Sequence, residues 1–93
     1  MQQFDDAQLD ALEAGRFLVP LLRLLRVELP ETEIKVGGQH YKYDRSYPVK
    51  GYGAVMPRYL AELFAAGKKP LVVERPTRFY LYVCSDSAVG ASP

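Results

Sequence analysis

The chain has 93 residues, of which 48% are apolar and 25% charged, with a net charge of +1. These values belong to a folded chain short enough for one hydrophobic core, and they exclude disordered and collagen-like polymers. One cysteine and one histidine exclude an internal disulfide framework and a Cys/His zinc site, so neither a metal nor a cofactor is expected.

The near-neutral total hides an asymmetry. Residues 1–34 balance to −4, whereas residues 35–93 balance to +5. The opening from Met1 to Asp6 is acidic where a signal or transit peptide is basic, and a cytoplasmic location is expected. The apolar run from Phe17 to Leu29 is interrupted by Arg23, Arg26 and Glu28 and is too short for a membrane span.

The first element predicted is a helix beginning at Asp5. Asp5 and Gln8 have the spacing of a capping box, Phe4 and Leu9 that of a hydrophobic staple, and Asp6 and Asp10 suit the positive end of a helix. Pro20 breaks or kinks the stretch. Beyond Gly15, the spacing of Leu18, Leu21, Leu22 and Leu25 then predicts a second amphipathic helix.

The segments 32–36 and 39–43 flank Gly37-Gly38, the signature of a tight hairpin. Its register sets Val36 opposite Gln39, Ile34 opposite Tyr41 and Thr32 opposite Tyr43. The charged pair Glu33 and Lys42 lies on the other face, as do Lys35 and His40. Pro57 is expected to open a helix that runs to Ala66 and stops at Gly67. Residues 71–75 and 78–84 form a second strand pair near the sheet centre, around a Pro76-Thr77 connection longer than two residues or bulged. Ser85 to Pro93 is read as a flexible tail after a single domain at 1–84. The expected fold is thus α+β in two layers. Two helices precede a ββαββ unit whose four-stranded mixed or antiparallel sheet carries its helices on one face.

Candidates for catalysis are weak. His40 falls on the solvated face of the hairpin, and Cys84 ends an apolar strand where a thiol acts as a small hydrophobe. Lys50 to Ala54 is glycine-rich before a helix but lacks the full spacing of a phosphate-binding loop. The stronger signal is aromatic and basic interleaving. Five of seven tyrosines lie between 41 and 59, among Lys42, Arg45, Lys50 and Arg58. With Tyr41, Tyr43 and Tyr59 assigned to packing, the remaining Arg45, Tyr47, Lys50, Tyr52 and Arg58 form the candidate partner-binding surface on or beside the loop 45–56. The expected function is a small non-enzymatic protein-binding or adaptor module. The alternative is a nucleic-acid-binding domain with tyrosines stacked on bases and Lys/Arg on phosphates.

Overall fold

The computed structural model describes residues 2–25 and 31–84. Its strands are β1 (Gln2–Phe4), β2 (Leu9–Ala14), β3 (Phe17–Arg23), β4 (Glu33–Val36), β5 (Gln39–Pro48), β6 (Pro70–Glu74) and β7 (Arg78–Cys84), with one α-helix, α1 (Tyr52–Ala65). They form one mixed sheet in the order β1-β4-β5-β7-β6-β3-β2, curled into a half-barrel. This corrects the expectation of a four-stranded sheet behind two N-terminal helices.

The curl follows from connectivity. The edge strands β1 and β2 are successive in sequence, joined by Asp5 to Gln8. From Phe4 to Leu9 the chain spans at most about 18 Å, while six strand spacings of a flat sheet cover roughly 29 Å. A flat sheet therefore cannot form. Its two faces bury separate clusters. Ala14, Val19, Leu21, Val72, Phe79 and Leu81 pack under Met56, Leu60 and Leu63 of α1. Inside the curl, Leu22, Leu24, Ile34, Val36, Tyr41, Leu71, Val73, Tyr82 and Cys84 pack together, with Phe4 and Leu9 against them.

The stretch expected as two helices is instead the β2–β3 hairpin, with Ala14 opposite Phe17 across Gly15-Arg16. Gly15 takes a φ of 63°, the backbone that the first position of a two-residue turn with glycine demands. Alternation along β3 is masked because both faces carry apolar side chains: Val19 and Leu21 face the helix and Leu22 the interior, while Leu18 and Pro20 are exposed. Pro20 stands opposite Ala11. Counting from the turn, that is a non-hydrogen-bonded pair, and the β6 ladder begins one residue later, at Leu21. The missing N–H therefore costs neither ladder a bond. Of the predicted helix start, a single 3-10 turn remains at Asp6–Gln8. The Gln8 side chain accepts from the Asp5 N–H at 2.8 Å, and the Gln8 N–H donates to the Asp5 carbonyl at 3.0 Å.

The β4–β5 hairpin has the predicted register, from Val36 opposite Gln39 to Glu33 opposite Lys42. Gly37 and Gly38 both have positive φ, 57° and 84°. The Tyr43 N–H donates to the Thr32 carbonyl at 2.7 Å, and Lys42 lies 3.9 Å from Glu33. The β6–β7 pair is central, as expected. Its last ladder pair is Glu74 with Phe79, and the Arg75 N–H donates to the Arg78 carbonyl across Pro76-Thr77.

Helix α1 starts at Tyr52, five residues before the expected Pro57, with Gly51 as N-cap. Pro57 therefore lies inside the helix, where its lost bond falls on the Gly53 carbonyl. The C-terminus is as read: the Gly67 N–H donates to Phe64 and the Lys68 N–H to Leu63, a Schellman closure. The predicted tail, 85–93, lies outside the described residues.

Candidate functional site

The five residues expected to form one surface are dispersed over four places. Arg45 and Tyr47 share one face of β5, and a bulge at Asp44 decides which face that is. Tyr43 pairs with Tyr82, whose side chain enters the interior cluster, while Arg45 pairs with Leu81 on the helix side. One extra residue thus hands Arg45 and Tyr47 to the face covered by α1. There the Arg45 guanidinium lies 3.6 Å over the ring centroid of Tyr59 and 3.3 Å from the Asp44 carboxylate.

These side chains satisfy one another. Desolvation works against the Arg45 charge, but Asp44, Tyr59 and Tyr47 outweigh it and hold the guanidinium above its ordinary pKa. Burial pushes the Tyr47 phenol up against the pull of Arg45. The Tyr59 phenol is raised chiefly by its hydrogen bond to Asp44, then by burial. The cluster fastens β5 to the helix.

Tyr52 is half-buried in the first turn of α1. Its ring meets Phe79 edge-on at 4.9 Å, and its hydroxyl donates to the Glu13 carbonyl at 3.3 Å. Lys50 lines a separate depression of about 290 Å³ with Pro48, Val49, Pro76 and Thr77.

Arg58 belongs to the fourth place, an open groove of about 460 Å³ between the β2–β3 turn and α1, lined by Gly15, Arg16, Phe17, Pro57, Arg58 and Ala61. The turn seats on Pro57. Phe17, the first residue of β3, stacks on Phe64 with centroids 5.1 Å apart and planes at 25°. Pro57, Ala61 and Phe64 follow one another at helical spacing, so they make one apolar stripe beside the groove. Phe64 is 41% exposed. The floor is apolar and the two charged residues of the lining are both arginines.

Arg16 and Phe17 escape a reading from sequence because the leucine spacing of their segment imitates a helix. The available signal was Gly15-Arg16 itself, a glycine-led pair between two apolar runs. Nothing in the sequence marks the bulge at Asp44. Among the described residues, no group of three or more His, Cys, Asp or Glu could hold a metal ion, and no helix is long and apolar enough to cross a membrane. Comparison of the chain with known protein families, with curated proteins and with solved structures finds no match.

Proposed function

We propose that this chain is a non-enzymatic protein-binding module and that its contact surface is the groove between the β2–β3 turn and α1. The supporting observation is the combination found there: an apolar floor, an exposed Phe64 next to it, and Arg16 and Arg58 in the lining. Aromatic and arginine side chains around a desolvated pocket are the composition of protein-interface hot spots. The surface first drawn from sequence contributes Arg58 alone to this groove. The reading of nucleic-acid binding relied on tyrosines offered to bases. Tyr47, Tyr52 and Tyr59 are instead half-buried and pack against the helix-side core.

The test is selection from an unbiased peptide library displayed on phage, with the wild-type protein and with Ala61→Arg as targets. Ala61 is exposed on the helix, and arginine is a good helix former, so this substitution fills the groove without touching the core. The expected result is a set of peptides that bind the wild type and lose binding to Ala61→Arg. Failure to enrich any peptide, or enrichment indifferent to Ala61→Arg, overturns the reading.

A further inference from the structure

We infer that the groove takes an acidic peptide segment, with an aliphatic or aromatic side chain on the floor formed by Phe17, Pro57 and Ala61 and carboxylates held by Arg16 and Arg58. The inference rests on the groove being a protein-binding surface and adds the chemistry of the partner.

It starts from how the arginines are used. Arg23 bonds Asp10 and Glu74. Arg45 is held between Asp44 and Tyr59. Arg75 donates to the Leu24 carbonyl, and Arg78 to Ser46 at 2.9 Å. Arg23, Arg75 and Arg78 tie one segment of the sheet to another, and Arg45 ties β5 to α1. Among the described arginines, only Arg16 and Arg58 make no hydrogen bond, ion pair or ring contact. Both line the same groove although they are 42 positions apart in the chain. Among the described residues, no carboxylate lines it to compete for them.

A guanidinium presents a planar fork of donors that matches a carboxylate with two parallel hydrogen bonds. Apolar surface beside it lowers the local dielectric once a ligand covers the groove, which strengthens those bonds. The floor offers hydrocarbon and no side-chain donor or acceptor, which suits an amino-acid side chain better than a sugar. The aromatic pair that could have received a base, Phe17 and Phe64, is already stacked on itself. The charge complementarity therefore favours a peptide rich in aspartate or glutamate around one or two large apolar residues.

The test uses fluorescence anisotropy with three fluorescein-labelled nonapeptides that share a central leucine-phenylalanine pair. They are flanked by aspartates, by asparagines or by lysines, and a labelled oligothymidylate serves as a fourth probe. The aspartate peptide is expected to bind the wild type about tenfold more tightly than the asparagine peptide, the equivalent of two modest charge-assisted pairs. The preference weakens as salt is raised. In the double variant Arg16→Ala/Arg58→Ala the two peptides are expected to bind alike, while the melting temperature stays unchanged because neither arginine supports the fold. Arg16→Lys/Arg58→Lys retains only part of the preference, since lysine lacks the fork. Equal binding of aspartate and asparagine peptides, lost in Ala61→Arg, overturns this inference and leaves the protein-binding reading standing. An aspartate preference that survives removal of both arginines also overturns it. If no peptide of any charge binds, both fall. Oligothymidylate binding that depends on the two arginines, without peptide binding, assigns the groove to nucleic acid and overturns both.

Discussion

The β carbon that Gly15 lacks would stand 3.0 Å from the Cβ of Pro57. The backbone of the β2–β3 turn thus packs closely on the Pro57 ring in the second turn of α1, and both residues line the groove. Gly15 is constrained twice, by its φ of 63° and by the ring of Pro57. Gly15→Ala is expected to destabilise the fold by about 1–3 kcal/mol through backbone strain and crowding. Urea unfolding measures it. An unchanged midpoint shows that the turn does not rest on the helix.

In the second hairpin one glycine carries both constraints and the other only one. Gly37 has a φ of 57° and lies under the Asp6 side chain, whereas Gly38, at 84°, has nothing within 4 Å of its missing β carbon. Gly37→Val is expected to cost about 1–3 kcal/mol, since a β-branched residue is ill suited to that backbone. Gly38→Asn is expected to cost less than about 1 kcal/mol, because asparagine enters the left-handed region readily and meets no neighbour. Comparable losses in the two variants contradict the assignment of space around this turn.

These two hairpins show what could be read in advance. Gly37-Gly38 lies between strands with one polar face, so alternation and turn chemistry agree and even the register is legible. Gly15-Arg16 lies beside Phe17 to Leu22, a strand with apolar residues on both faces, and there the period of two disappears. The leucines at 18, 21, 22 and 25 then imitate helical spacing. The groove was illegible for the same reason, since Arg16 and Phe17 reach Arg58 and Ala61 only through that hairpin. The bulge at Asp44 is a third case. It depends on how β5 must meet both Tyr82 and Leu81, a tertiary demand with no local mark. Where the chain signals its own ends, as with Gly67 after α1, the reading from sequence held.

Tyr52 is a packing residue, which distinguishes it from Lys50 two positions earlier. Replacing Tyr52 by serine removes the edge contact with Phe79 and the hydrogen bond to Glu13. The loss is expected to be about 2–3 kcal/mol, the scale of burying one large side chain. Lys50→Ala, at an exposed position, is expected to stay within about 0.5 kcal/mol of wild type. Thermal melting of the two variants side by side checks this. A stable Tyr52→Ser protein returns that tyrosine to the list of surface anchors.

Arg45 and Tyr59 are coupled across the β5–α1 boundary, so their contributions are not additive. A double-mutant cycle with Arg45→Met and Tyr59→Leu is expected to give a coupling of about 0.5–1 kcal/mol, the value for a cation over an aromatic ring at a partly exposed site. The sign is stabilising. Strictly additive losses indicate that the stack at 3.6 Å contributes no energy of its own.

Tyr82 makes the fold sensitive to alkali. Its side chain is buried among Tyr43 and Tyr80, and burial first, then those neighbours, push its phenol from 10.0 to about 12. In the folded protein its hydroxyl donates to the Glu31 carbonyl at 2.6 Å. Between the two pKa values the unfolded chain has released the proton that the folded chain retains, so stability is complete below pH 10 and declines toward pH 12. Tyr47 and Tyr59 are raised in the same direction and add to the decline. Tyr82→Phe is expected to lose about 1 kcal/mol at pH 7, where only the hydrogen bond is missing. Its melting temperature is then expected to fall less steeply than that of the wild type as the pH is raised above 10. If the two profiles run parallel from pH 9 to pH 12, the alkaline transition belongs to the other tyrosines and Tyr82 has no part in it.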